Sequence, residues 1–211
     1  MSGPPGYTEA RAEAASAARA ALSLGRDQAG MARAAIAATE SFFEHVRQSL
    51  GLDGHLARMA CKPGCAWCCY QLVGVTTAEL ALLVEAIGQM PADRRAEIRS
   101  RAAEAVAAGQ GLDPGQYWTA HIRCPLLDET DHCSVHAERP MACRAFNSAD
   151  AGTCHRSFLG ETSRIPVLAA QHGTWAHAQA GLADALAGAG IAPGPLALVD
   201  GLNQSFITTN L

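Results

Sequence analysis

The chain has 211 residues, of which 49% are hydrophobic and 17% are charged, and its formal net charge is −4. This length fits one domain of ordinary size. The sequence contains no basic tract, so its charge gives no reason to expect binding to nucleic acid or to an anionic membrane. No apolar stretch is long enough to span a bilayer, and the N-terminus lacks the pattern of a secretory signal. We therefore expect a single cytoplasmic domain whose partners include neither nucleic acid nor membrane.

Two helices are predicted before the first cysteine. Residues 8–23 are rich in alanine with few large apolar side chains, which predicts a helix that docks loosely, as an arm. Residues 27–50 carry large apolar side chains such as Met31 and Val46 at helical spacing, which predicts a helix with one buried face. Residues 1–60 are accordingly assigned to an N-terminal helical arm.

Four of the eight cysteines lie within nine residues, in the stretch CKPGCAWCC that begins at Cys61. A thiol density of this kind is typical of a metal site. Pro63 restricts the backbone and Gly64 permits a positive φ, so the chain can curl and present several sulfurs on one side. Cys68 and Cys69 have Cα atoms about 3.8 Å apart, too close for an ordinary disulfide, and their side chains should point in different directions. One of the two can therefore serve a second site.

A second block of cysteines follows in segments that contain turn residues, and Cys154 lies a little beyond it. Disulfides rarely persist in the cytoplasm, so eight cysteines are more naturally metal ligands than cross-links. For Cys154 the competing interpretation is a buried thiol that binds nothing, and its neighbour His155 is a weaker ligand candidate. The candidate metal ligands are Cys61, Cys65, Cys68, Cys69, Cys124, Cys133, Cys143 and Cys154.

A site that joins both blocks is the simplest arrangement of these ligands. Four thiolates around a divalent ion leave about two negative charges, which nearby cationic side chains could offset. The candidates for that role are Lys62, Arg139, Arg144 and His136. His132, beside Cys133, is more typical of a surface group than of a ligand. The ligands expected to be essential are Cys61, Cys65, Cys68, Cys124, Cys133 and Cys143, whereas Cys154 is expected to be dispensable or to belong to a secondary site.

Two predicted helices separate the cysteine blocks. Thr76 and Glu79 have the spacing of a capping box, in which each side chain binds a free backbone amide at a helix start. Residues 93–108 predict a second helix. Because the blocks themselves are rich in turn residues, we predict an all-α fold with helices packed around a cysteine-rich, loop-dominated metal-binding centre. Residues 61–155 form the cysteine-cluster core in this division.

One further helix is predicted after the cysteines. Ser163 can cap it, and Pro166 can stand in its first turn. One helix face then follows at alternating spacings of four and three residues, and it consists of Leu168, His172, Trp175, Gln179, Leu182 and Leu186. We expect Trp175 and His172 to lie in the core or an interface. The last residues are predicted to form a short docked tail, so residues 156–211 complete the single domain as a C-terminal helix and tail.

The order CKPGCAWCC, CPLL, a single cysteine and ERPMACRAF resembles the YkgJ family of bacterial cysteine-cluster proteins, over roughly residues 61–146. That family carries a CxxxCxxCC signature followed by CPFL-like, cysteine and RPxxCR-like segments. The resemblance implies chelation of zinc or of iron, the latter also as a 4Fe-4S cluster. It implies ligand positions that end at Cys143, with Arg139, Pro140 and Arg144 around the last one. Cys154 falls outside the pattern.

Two other functions stay open. Cys61, Cys65 and Cys68 also have a spacing seen in radical S-adenosylmethionine enzymes, and the constellation resembles the flagellin lysine methylase family, so an iron–sulfur enzyme with methyl-transfer chemistry is one alternative. Such enzymes generally use a βα barrel, whereas this chain shows no alternation of β-rich and helical segments. Buffering of Cu(I) is the other alternative, since soft thiolates suit Cu(I). No catalytic constellation beyond the metal site is recognisable, and a protein partner is left unidentified.

Overall fold

The computed structural model describes residues 6–161 and 164–209, whose regular structure is helical apart from one pair of two-residue strands, and this confirms the all-α prediction. The helices are α1 Tyr7–Ser23, α2 Gln28–Leu50, α3 Asp53–Leu56, α4 Thr77–Gly88, α5 Ala92–Gly109, α6 Pro114–Thr119, α7 Met141–Ala145, α8 Ala151–Phe158, α9 Ala169–Gly188 and α10 Leu198–Thr209. Short 3₁₀ turns lie at Trp67–Tyr70 and His136–Glu138. The two-residue strands β1 Gly74–Val75 and β2 Leu196–Ala197 pair antiparallel. No helix among these is long and apolar enough to cross a membrane.

Helix α1 packs closely along α9 through small side chains. Its buried residues are all alanines. A Cβ at Gly181 of α9 would lie 2.0 Å from the carbonyl oxygen of Arg11, so the two backbones are in direct contact. At the edge of this contact Arg11 and Asp184 form a two-point ion pair of 2.6 and 2.8 Å, and the Tyr7 hydroxyl donates to the Ala169 carbonyl at 3.0 Å. The prediction of a loosely docked arm is therefore wrong. The small alanine side chains that suggested weak docking instead allow α1 to approach Gly181 of α9 closely.

Helices α2 and α9 form most of the first core cluster, which also takes residues from α1, α4 and α7. Helix α2 begins within one residue of its predicted start, the Asp27 carboxyl caps it by accepting the Gly30 amide, and Met31 is fully buried. Trp175 is only 5% exposed and lies in this cluster, which confirms its predicted core position. His172, by contrast, is exposed, so it does not lie in the core, and its alternative place in an interface stays a prediction.

The start of α9 differs from the prediction. Ser163 lies outside the described residues, and the helix begins at Ala169, after Pro166 rather than around it. The backbone before the helix is held by tertiary contacts, since the Leu168 amide donates to the Asn147 side chain at 2.6 Å. A distant side chain therefore replaces the local cap that the sequence predicts.

The predicted tail is a helix, α10, which docks on the second core cluster. Leu198, Leu202 and Phe206 lie on its buried face and join Leu83 of α4 and Ile98 of α5 in that cluster. The capping box of α4 is confirmed in both directions between Thr76 and Glu79. The second core cluster thus joins the helices that separate the cysteine blocks to the end of the chain.

Candidate metal centre

The first cysteine block forms a loop that ends in a 3₁₀ turn. Gly64 has a φ of +85°, and the Cys65 amide donates to the Lys62 carbonyl at 2.9 Å, so the chain curls as predicted. The Cys69 amide then donates to the Ala66 carbonyl at 2.8 Å. Cys61 is exposed, while the next three cysteines of the block are partly buried. The loop therefore places four thiols between solvent and the protein interior.

A segment after α7, which sequence reasoning missed, anchors this loop. The Ala60 amide donates to the Ser148 carbonyl at 2.9 Å, and the Ser148 amide donates to the Cys61 Sγ at 3.2 Å. Asn147 beside it is also buried and binds the backbone of Ala145 and Leu168 through its side chain. An amide that donates to a sulfur stabilises the thiolate form, so Ser148 both fixes the loop and favours a ligating thiolate.

Aromatic side chains dock α8 on the first block and so bring Cys154 to it. The Phe158 ring lies 5.3 Å from that of Trp67 and 4.8 Å from that of Tyr70, centroid to centroid, and His155 stacks on Trp67 at 4.5 Å. Cys154 and Phe158 are four residues apart on one helix and therefore share a face. Docking through Phe158 thus carries Cys154 to the first loop.

Four thiols line one cavity of about 220 Å³ at this junction. They are Cys61, Cys65, Cys68 and Cys154. Most of the remaining wall is apolar and includes Trp67, Trp118, Phe146, Ile165 and Val167. His172 also lines the cavity, which is where the structure places it instead of in the core. The thiols therefore meet in a pocket with few competing polar groups.

The second block is built around a tight turn between Cys124 and Cys133. The Asp128 carboxyl accepts the amides of Thr130 and His132 at 2.8 and 3.0 Å. Cys133 forms an antiparallel bridge with Leu127, and the Cys124 amide donates to the Cys69 carbonyl at 2.8 Å. These contacts join the second block to the end of the first. The thiol-bearing residues Cys124, Cys133 and Cys143 pack against the second core cluster.

Glu79 holds the helix that carries Cys143. Its side chain is 1% exposed and accepts hydrogen bonds from the Thr76 amide at 2.7 Å, the Met141 amide at 2.8 Å and the Gln179 side chain at 2.9 Å. Met141 is the first residue of α7, so one carboxyl group joins α4, α7 and α9. The sequence predicts only its capping role, because the other two partners are far away along the chain.

Burial raises the pKa of most of these thiols, and nearby thiols raise it further. The pKa of Cys61 rises to about 11, chiefly by desolvation, with repulsion from Cys65, Cys68 and Cys154 adding to it. The pKa of Cys124 rises to about 12, again by desolvation first. Negative charges on neighbouring sulfurs repel one another, and a cation between them offsets this repulsion by attracting each sulfur. A cluster of thiols of this kind therefore favours binding of a metal ion.

Backbone amides lower the pKa of three of these thiols through the same local arrangement, and so offset part of the rise caused by burial. Desolvation raises the pKa of Cys65, Cys124 and Cys133, and in each case the largest opposing influence is the amide two residues further on, which belongs to Trp67, Leu126 and Val135. A short turn whose amide points back at the sulfur favours the thiolate, the form that binds metal. This local geometry fits a ligand role.

Only some of the predicted cationic neighbours face the thiols. Arg139 lowers the pKa of Cys68 and Cys133, although other influences raise both overall, and Lys62 acts in the same direction on Cys65. Arg144 was also expected there, but it is 7% exposed and its guanidinium pairs with Glu40 at 2.6 Å, against the Trp175 ring. That part of the prediction is wrong, since the nearby carboxylate engages the arginine. His136 instead contacts the Arg139 guanidinium, 2.8 Å from its Nε2.

The donor set fits a thiophilic metal in its chemistry. All eight cysteines are free thiols, and the buried hydroxyl of Ser134, next to Cys133, has no hydrogen-bond partner in the described part of the chain. Within residues 6–161 and 164–209 no three ligand-type side chains already converge as around an ion. Binding therefore requires thiols that are already neighbours to rotate toward a shared point.

The comparisons agree with this chemistry. No curated protein and no solved structure matches the chain. A family model named CxxCxxCC, described as "Putative zinc- or iron-chelating domain", matches residues 60–165, about half of the chain. The match contains every cysteine of both blocks, and it is consistent with the resemblance to the YkgJ family. The chain therefore belongs to the CxxCxxCC family.

Proposed function

We propose that this protein binds zinc or iron through cysteine thiolates of both sequence blocks. The observation that carries the proposal is the junction of the blocks: the Cys124 amide binds the Cys69 carbonyl, so thiols far apart in sequence become neighbours. Membership of a family described as chelating zinc or iron supports the same conclusion. The proposed ligands are Cys61, Cys65, Cys68, Cys69, Cys124, Cys133, Cys143 and Cys154.

The proposed compartment is a reducing one such as the cytoplasm, because the cysteines stand as free thiols rather than disulfides. The fold argues against the iron–sulfur enzyme alternative in its βα-barrel form, since the described residues are helical with one pair of two-residue strands. An iron–sulfur cluster held by this helical frame, or Cu(I), is separated from zinc by spectroscopy and elemental analysis.

The test is a metal analysis of protein purified without oxygen. We expect zinc or iron at a fixed ratio to the chain, with visible absorption if the iron is in a cluster and none if the metal is zinc. Cys143→Ser should reduce the metal content, because it removes a thiol from the junction. Ala142→Ser is the matched control, since it adds a hydroxyl next to Cys143 and removes no thiol. Equal metal content in both variants, or copper in place of zinc and iron, would refute the proposal.

A further inference from the structure

The eight thiols are divided between two environments. Cys61, Cys65, Cys68 and Cys154 line the cavity beside the aromatic side chains. Cys124, Cys133 and Cys143 pack instead against the second core cluster, among residues such as Leu126 and Val135. The first group reaches solvent through exposed Cys61, although Cys154 within it is buried, whereas the second group is partly buried and backed by buried aliphatic side chains.

The adjacent pair Cys68 and Cys69 stands at the boundary between these environments. Cys68 lines the cavity, and the Cys69 carbonyl accepts the amide of Cys124. Both lie in the Trp67–Tyr70 3₁₀ turn, where consecutive side chains differ in direction by about 120°. One thiol of the pair can therefore turn toward each group.

This division gives each environment four thiols, which is the number that a tetrahedral zinc site takes. We propose that the cysteines form two separate metal centres of unequal exchange rate. The outer centre consists of Cys61, Cys65, Cys68 and Cys154. The inner centre consists of Cys69, Cys124, Cys133 and Cys143. The inference rests on the proposed function, because it divides among two ions the thiols that bind metal there.

Arg139 lies where two such centres need charge compensation. Two divalent ions with four thiolates each carry about four negative charges in total. The positive charge of Arg139 favours the thiolate form of Cys68, which we assign to the outer centre. It has the same effect on Cys133, which we assign to the inner one. A cation between two anionic centres lowers their mutual repulsion. One arginine therefore supports both centres.

The two centres differ in access for an incoming ligand. Cys61 and the following Lys62, Pro63 and Gly64 are exposed, so a competing thiol or chelator can reach the outer ion through the loop. The inner thiols sit against a hydrophobic cluster, and a hydrophobic shell restricts solvent access to a metal. The outer centre is therefore the one that exchanges or delivers metal, and the inner centre retains its ion and stabilises the junction of the blocks.

The experiment uses Zn²⁺ as the probe on the full-length reduced chain. After loading and removal of free ion, zinc per chain is measured, and release to an excess of a coloured chelator is followed with time. The wild type should hold two ions and release them in two phases of equal amplitude. Cys61→Ser and Cys154→Ser should each lose the fast phase and keep one ion.

Cys133→Ser is the matched inner variant and should lose the slow phase. If that variant fails to fold, the two outer variants still decide the matter, because they test the fast phase alone. One ion per loaded wild-type chain, a single release phase, or an unchanged fast phase in Cys154→Ser would overturn the two-centre proposal while leaving thiolate binding intact. No zinc binding at all would overturn the two-centre proposal together with the zinc form of the proposed function.

Discussion

Replacing Glu79 by alanine should destabilise the protein strongly and weaken metal binding at the second block. The side chain of Glu79 is 1% exposed and accepts bonds from Thr76, Met141 and Gln179. Alanine leaves the buried amides of Thr76 and Met141 without an acceptor, whereas the partly buried Gln179 side chain still donates to the Gly74 carbonyl at 3.1 Å. Because Met141 begins the helix that carries Cys143, the same change loosens a proposed ligand.

The magnitude follows from those unpaired donors. Each of the two buried amides left without a partner costs about 1–3 kcal/mol, and the costs of neighbours are not fully additive, so we expect a loss of roughly 2–5 kcal/mol. For a chain of this size each kcal/mol lowers the melting temperature by about 2–4 °C. Glu79→Ala should therefore lower the melting temperature by roughly 4–20 °C.

The assay is thermal unfolding followed by circular dichroism on metal-loaded protein, with metal per chain measured in parallel. Glu85→Ala on the same helix is the matched control. Glu85 pairs with Arg33 in an exposed ion pair, which typically contributes only about 0–1 kcal/mol. If Glu79→Ala unfolded within about 2 °C of Glu85→Ala, the reasoning that one buried carboxyl joins α4, α7 and α9 would be refuted.

Further predictions concern packing and metal. Gly181→Ala should push α1 away from α9 and lower the free energy of unfolding, measured by thermal unfolding, by about 1–3 kcal/mol. Gly188→Ala is the control and should leave stability unchanged, because an added Cβ there has no atom within 4 Å. Equal effects of the two changes would argue against the close contact. Phe158→Ala should cost about 1–3 kcal/mol and lower the metal content; unchanged metal content would separate α8 from the site. Chelation should lower the melting temperature, and an unchanged transition after verified metal removal would exclude a structural role. The pKa values of Cys61 and Cys124 are raised to about 11 and 12, so these thiols are protonated near neutral pH. Metal loading should therefore release protons, and metal affinity should fall as the pH is lowered. Calorimetry in buffers of different ionisation enthalpy measures this proton release, and its absence would contradict the prediction.

Local signals in the sequence predict local structure well here. The capping box of Thr76 and Glu79 and the curl at Gly64 depend on residues within a few positions of one another, and both are present. The thiol clusters could also be predicted, because short spacing alone limits how far apart the sulfurs of one block can lie.

The remaining features depend on partners that are distant in sequence. The docking of α1 requires Gly181, which lies far from the alanines that it accepts. The start of α9 depends on Asn147, so the local cap expected at Ser163 carried no information about it. The place of Cys154 depends on Phe158 packing against Trp67, and no spacing rule could have brought that cysteine to the first block.

The most direct test of thiolate metal binding is X-ray absorption spectroscopy at the edge of the bound metal, on protein purified without oxygen. The proposed function predicts that the nearest neighbours of the ion are sulfurs, at about 2.3 Å for zinc. Nearest neighbours dominated by nitrogen or oxygen at about 2.0–2.2 Å would contradict it, because the cysteines would then not hold the metal.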